Sequence, residues 1–296
     1  MEKKAMIDIK VYQKQISEKT DAMLERVLPT SDTYPCSIHT LMRYSTFAGG
    51  KRIRPCLLMA TFDACGGSSE NEEKALLTSA AIEMLHTFSL IHDDLPCMDD
   101  DDFRRGKPTA HKAFNEALAV LGGDALCIAA FEVLAMTGRI DIIKDIASAL
   151  GTDGMLGGQV VDIESEGKQV SRDTVEYIHR KKTAALIRVS IRAGAVIAGA
   201  DLATIEKLTQ FGELIGLAFQ VVDDILDEES TTEQLGKDAG SDRENGKATY
   251  PSVFGMSESK KYALQLIENA WKEIEFLGER GVILNKLAEY IVTRIS

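Results

Sequence analysis

Apolar residues recur at three- and four-residue steps almost throughout the chain. Leu77, Ala81, Met84, Phe88 and Ile91 form one stripe; Leu186, Val189, Ala193, Val196 and Ile197 form another. That spacing lays one face of an α-helix against a core. Sustained two-residue alternation is absent, so no run of strands and hairpins is expected. The pattern predicts helices over 74–92 and 214–226 within an all-α bundle of about ten or more helices, a single domain over residues 1–296.

Turn chemistry marks the breaks. Gly66 to Asn71 reads as a loop. Gly199-Ala200-Asp201 reads as a helix stop followed by an N-cap. Glu164 to Val170 is a polar connection. The longest connection, Glu228 to Lys247, is rich in Glu, Thr, Gly, Asp and Asn. A loop of that length inside a compact domain is usually either functional or disordered, and its place directly after Asp223 to Asp227 favours function. Its motion on substrate binding is an expectation.

Composition narrows the classes. With 45% apolar residues in 296, the chain can bury a sizeable core. A net charge of −12 argues against a nucleic-acid partner, yet local basic patches can still hold an anionic substrate. The five cysteines (Cys36, Cys56, Cys65, Cys97 and Cys127) form no CxxC pair and read as reduced thiols of a cytoplasmic protein. The opening residues MEKKAMIDIKVYQKQ carry no secretory signal. The most apolar window, Ala117 to Met136, contains Asp124 and Glu132, so a buried helix is expected there and no membrane span.

The candidate chemistry lies in two clusters of aspartates, each ending an apolar helical run. The first is Asp93-Asp94-Leu95-Pro96-Cys97-Met98-Asp99, continued by Asp100, Asp101 and Asp102. The second is Asp223-Asp224-Ile225-Leu226-Asp227. Carboxylates this dense repel one another and need a cation. Hard oxygen ligands with positions left open for substrate phosphates suit Mg2+. Asp223 and Asp227 are one helical turn apart on one face; the alternative is an acidic helix end in water. Asp93 and Asp99 are six residues apart, on different faces of an ideal helix. Pro96 makes an ideal helix unfavourable, and a helix that ends or bulges there can bring Asp99 round to Asp93. Asp100 to Asp102 read either as ligands or as a solvated acidic turn.

Basic residues accompany both clusters. Lys51, Arg52 and Arg54 precede the first, and Arg104 and Arg105 follow it. Lys181 and Lys182 precede Thr183, and Lys237 and Lys247 lie in the long connection. Each alone reads as a surface charge. Together with two acidic clusters they suit a metal-bound diphosphate. His86, seven residues before Asp93, falls on nearly the same helix face and reads as either structural or site-facing.

These segments resemble the trans-prenyltransferases, the isoprenyl diphosphate synthases. The likeness spans nearly the whole chain: GGKRIRP at 49–55, EMLHTFSLIHDDLPCMDDDDFRRGKPTAH at 83–111, GGQVVDIESEG at 157–167, KKTAALI at 181–187, FQVVDDILD at 219–227 and GKDAGSDRENGKATYPS at 236–252. The resemblance implies an all-α fold around a central cavity, in a homodimer, with the two aspartate motifs facing each other. It implies condensation of an allylic diphosphate with isopentenyl diphosphate and three Mg2+ ions. Asp93 and Asp99 would bind metal from one side and Asp223 from the other, with Asp94 and Asp227 completing the metal set in support. Arg104, Lys182 and Lys237 would hold the allylic diphosphate. Lys51, Arg54, His86 and Arg105 would hold isopentenyl diphosphate. Thr183 and Gln220, with Lys182 and Lys237, would make up the catalytic set around the forming carbocation.

Within that family, product length depends on residues just before the first motif. Phe88 and Ser89 stand five and four residues before Asp93, and the motif carries two extra residues, Pro96 and Cys97. The aromatic residue and the longer motif resemble the bacterial farnesyl synthases and imply a C15 product, with a geranylgeranyl or geranyl product as the alternative; Phe88 also reads as plain core. A terpene cyclase would lack the basic set around Lys51 and Arg54. A non-catalytic subunit would be expected to lose metal aspartates, and none is lost here.

Overall fold

The computed structural model describes residues 8–229 and 247–293. In chain order the helices are α1 (Ile9–Val27), α2 (Cys36–Thr46), α3 (Ile53–Ala64), α4 (Ser69–Asp93), α5 (Ala110–Ala113), α6 (Glu116–Met136), α7 (Ile140–Leu150), α8 (Met155–Ser165), α9 (Arg172–Ile178), α10 (Ala185–Ala198), α11 (Leu202–Glu229), α12 (Tyr250–Phe254), α13 (Met256–Ile274) and α14 (Val282–Val292). A π-helical turn, His179–Ala184, joins α9 to α10.

The interior is a stack of apolar helices. α10 packs on α3 and α11, α3 on α4, α4 on α6, and α11 on α13. All five residues of the first predicted stripe, from Leu77 to Ile91, are buried on α4. α11 starts well before Leu214 because its apolar stripe already begins at Ile205 and Leu208. Its start is fixed as the turn chemistry predicts. Gly199 adopts φ 79, which suits a residue without Cβ, and Asp201 Oδ1 accepts the Thr204 N–H at 2.8 Å.

A small hairpin departs from the all-helical expectation: β1 (Phe103–Arg104) pairs antiparallel with β2 (Lys107–Pro108). Its turn residues, Arg105 and Gly106, have φ 54 and 74, the left-handed geometry that matches strand twist. Strands of two residues are too short to show alternation in the sequence.

α6 is long and apolar enough, by length and composition, to cross a membrane. It packs instead on α4 and α2. Gly122 and Gly123 allow the close approach, since a Cβ at either would lie 2.3 Å from Leu41 or His92. The expectation of a buried helix holds for that face only. Leu121, Ile128 and Met136 on the outer side are more than half exposed. All five cysteines are free.

Candidate active site

Both acid clusters sit at helix C-termini. Asp93 is the last residue of α4, and Asp223 to Asp227 lie in the last turns of α11. The negative end of the helix dipole disfavours carboxylates there, so the placement itself calls for cations. Asp93, Asp99 and Asp223 line one cavity of about 710 Å³ together with Arg54, His86, Arg104, Arg105, Lys182, Thr183, Gln220 and Lys247. Phe88, Ser89, Leu90, His92, Leu156, Leu186 and Phe219 line the same cavity.

The loop after α4 brings the first cluster together as Pro96 predicts. The Asp99 N–H donates to the Asp93 carbonyl at 2.8 Å, and Met98 N–H to the Leu95 carbonyl at 2.8 Å. Leu95 is buried and anchors the turn. Burial pushes the Asp93 carboxyl above the usual carboxylate range, against the pull of Lys182. Burial pushes Asp99 up as well, but Lys247, 3.0 Å away, and Lys182 outweigh it and hold Asp99 below that range.

Asp94 does not line the cavity. It is 3% exposed, and burial raises its carboxyl to about 6 despite Arg104. The Arg104 Nε donates to Asp94 Oδ1 at 2.9 Å, and its terminal nitrogen bonds Asp94 as well and reaches Asp101 at 2.8 Å. Asp94 and Asp101 thus aim Arg104 at the cavity. Asp102 pairs with Lys112 at 2.7 Å. In the second cluster, Asp227 is buried and borders a separate recess with Lys168 and Lys247.

The three basic residues of the GGKRIRP segment take three directions. Arg54 lines the cavity, where burial lowers its guanidinium to about 10. Arg52 turns inward instead. It is 3% exposed, takes φ 46, and donates to Asp21 at 2.9 Å, Glu83 at 2.9 Å and the Thr46 carbonyl at 2.8 Å. This buried pairing holds the strained turn at Arg52, which carries Lys51 on one side and leads into α3 and Arg54 on the other. Lys51 is not among the cavity-lining residues; its ammonium lies 5.3 Å over the Tyr290 ring. Arg105 lines the cavity and bonds the Gly49 carbonyl. Burial and the guanidiniums of Arg54, Arg105, Arg104 and Arg52 push His86 well below the usual imidazole range, so at neutral pH it presents a neutral ring.

The π-helical turn points Lys182 and Thr183 into the same cavity, a use of π geometry common at functional sites. Two glycines let it sit there. A Cβ on Gly158 of α8 would lie 2.4 Å from the Lys182 backbone nitrogen, and one on Gly216 of α11 would lie 2.7 Å from Ala184 Cα. Lys182 Nζ donates to Asp162 at 2.6 Å, and Thr183 bonds Gln220. Lys237 lies outside the described residues, as does most of the connection whose motion the sequence suggested.

Lys247, one of the basic residues noted beside the acid clusters, reaches the site, and His92 and Asp162 join it without having been singled out as site residues in the sequence. His92 follows Phe88 by one helical turn, a spacing that could have signalled it. Asp162 lies within one of the quoted segments, but its partner is 20 residues away, and no local pattern marks such a pairing.

Residues 36–277 match the family described as polyprenyl synthetase. The farnesyl diphosphate synthase of Geobacillus stearothermophilus is 40% identical over 98% of this chain and 99% of its own length. The chloroplastic geranylgeranyl pyrophosphate synthase of Capsicum annuum is 42% identical over 97% of this chain and 79% of its own. Among solved structures, a geranyltransferase from Helicobacter pylori, complexed with magnesium and isoprenyl diphosphate, superposes with a TM-score of 0.86 at 29% identity, covering 99% of both chains. Acid clusters facing one basic cavity, the helical fold and these likenesses agree, and the chain belongs to the polyprenyl synthetase family as a prenyltransferase.

Proposed function

We propose that this chain, as a single domain, catalyses the Mg2+-dependent head-to-tail condensation of isopentenyl diphosphate with dimethylallyl or geranyl diphosphate to give the C15 farnesyl diphosphate. The observation that carries this reading is the shared cavity. Carboxylates from the ends of α4 and α11 meet five lysine and arginine side chains there, beside an apolar wall containing Phe88.

The donor set suits magnesium. Among the described residues, no three His, Cys, Asp or Glu side chains gather as a ready metal cage. Mg2+ binds through one or two carboxylates and completes its shell with water and substrate phosphate. Asp93 and Asp99 would hold metal on one side and Asp223 on the other, while Asp94 and Asp227 support them. The metal ions supply charge neutralisation for the departing diphosphate.

The side chains do the rest. Arg104 and Lys182, with Lys237, hold the allylic diphosphate. Arg54, Arg105 and the neutral His86 hold isopentenyl diphosphate, and Lys51 would have to turn in from the Tyr290 ring to join them. The allylic C–O bond breaks and leaves its electron pair on the diphosphate, a step favoured by cations fixed in advance in a water-poor site. The Gln220 carbonyl and Thr183 hydroxyl oxygens face the allylic cation. The isopentenyl double bond attacks it, and the released diphosphate takes the proton then lost. The apolar wall keeps water from the cation.

The test is direct. Incubate the protein with Mg2+, dimethylallyl diphosphate and excess labelled isopentenyl diphosphate, dephosphorylate, and size the alcohols. A dominant C15 alcohol is expected, and none should form with EDTA present. A dominant C20 alcohol, the product class named for the Capsicum relative, would keep the reaction and overturn the length. No elongation would overturn both.

The outer face of α6 supports a homodimer. Leu121 and Ile128, two turns apart, and Met136 are 54%, 63% and 61% exposed, an apolar stripe suited to a second copy across a two-fold axis. Ile128→Glu is expected to shift the molar mass in light scattering from dimer to monomer. A parent protein that is monomeric at micromolar concentration would remove this assignment. We also place the protein in the cytoplasm, in keeping with its unpaired thiols.

A further inference from the structure

Asp224 belongs to the second acid cluster but does not line the central cavity. It is 2% exposed. Its Oδ1 accepts the Gln220 Nε2 at 2.8 Å, and its Oδ2 accepts the Tyr250 backbone N–H at 2.8 Å. His179 Nε2 lies 3.2 Å from the same Oδ2, and the His179 ring stacks on Tyr250 at 5.1 Å.

This arrangement sets the polarity of Gln220. Both Asp224 oxygens act as acceptors here, one from the Tyr250 N–H, so the Gln220 amide turns its NH2 toward Asp224. Its oxygen then accepts from the Thr183 hydroxyl. Gln220 and Thr183 both line the cavity. An amide has two nearly isosteric orientations of opposite polarity. One puts a carbonyl dipole on the cavity side; the other puts N–H donors against a developing positive charge.

We infer that Asp224 is a positioning residue that selects the first orientation. It locks the Gln220 oxygen toward the reacting carbon, while the Tyr250 N–H and His179 hold Asp224 itself. Asp224 acts through Gln220 and not on the metal ions. The inference rests on the reading that an allylic cation forms beside Gln220.

Asp224→Asn tests it. The Tyr250 N–H still needs an acceptor, so the asparagine oxygen must stay there and its NH2 must face Gln220. Gln220 then turns over and presents N–H groups to the cavity. We expect kcat to fall about 10²-fold, as on losing one fixed dipole, while KM and the affinity for a Mg2+–bisphosphonate complex stay within about three-fold. Adding Gln220→Glu restores an oxygen on the cavity side and should recover about ten-fold in kcat.

An unchanged kcat, absent recovery, or a loss of bisphosphonate affinity equal to that of Asp223→Asn would each overturn the inference. Gln220→Ala separates the two ideas. If it leaves kcat intact, the carbocation reading fails; if it impairs kcat while Asp224→Asn does not, only the positioning role fails. Should Asp224→Asn not fold, hydrogen exchange of the Gln220 side-chain amide in the unmutated protein decides. Slow exchange is expected for an NH2 buried against Asp224, and exchange as fast as that of a surface glutamine overturns the role.

Discussion

Asp93→Asn is expected to lower kcat by about 10²–10³-fold at saturating Mg2+ without destabilising the metal-free fold. The two halves have one cause. Burial raises the Asp93 carboxyl above its ordinary value. A group whose folded pKa lies above its unfolded one costs stability when ionised, and the cost is complete once pH exceeds the folded pKa. Asparagine removes that cost, so the Tm at neutral pH without metal should stay level or rise. Carboxylates kept at an unfavourable position mark function over stability. Mg2+ with a bisphosphonate should raise the Tm of the parent, because ligands stabilise the state they bind, and should do so much less in the variant. Steady-state kinetics and thermal melts with and without ligand check both halves. A variant whose activity falls only in step with its Tm would show Asp93 to be structural.

Phe88→Ala is expected to shift the dominant product from C15 to C20 and longer chains. Phe88 is five residues before Asp93 on α4, about 7.5 Å back along the helix at 1.5 Å per residue. Its ring is 8% exposed, lines the cavity, and meets His92 edge-on at 5.3 Å. His92 is itself braced, with Nε2 3.1 Å from the Val120 carbonyl oxygen. A braced aromatic pair makes a rigid stop. Each further five-carbon unit needs roughly one helical turn of depth, about 5.4 Å, so losing one ring opens room on the scale of one unit. Truncating a packed Phe costs about 3–5 kcal/mol where the surroundings cannot relax, and a variant with less folded protein would make less product. Chain length per turnover does not depend on that amount, so chromatography of the dephosphorylated alcohols reads the stop itself. A variant still making C15 alone would show that the tunnel ends elsewhere.

Helical class was legible in the sequence because burial imposes its own period. Leu77, Ala81, Met84, Phe88 and Ile91 all reached the core, and Asp201 capped α11 as turn chemistry predicts. The acid clusters were legible too, since dense carboxylates without a cation repel one another and are seldom retained. Only the tertiary structure decided which members face the site. Asp93, Asp99 and Asp223 reach the cavity, whereas Asp94 turns to Arg104 and Asp224 to Gln220. Arg52 and Arg54, two residues apart in one basic motif, part ways because a left-handed residue at Arg52 sends its side chain into Glu83 while Arg54 lines the cavity. Such choices depend on partners far away along the chain. The Lys247–Asp99 pair joins residues 148 apart, and that closeness exists only once the helices have packed. Local sequence specifies which charges are present and on which element; the packing of distant elements specifies where each charge points.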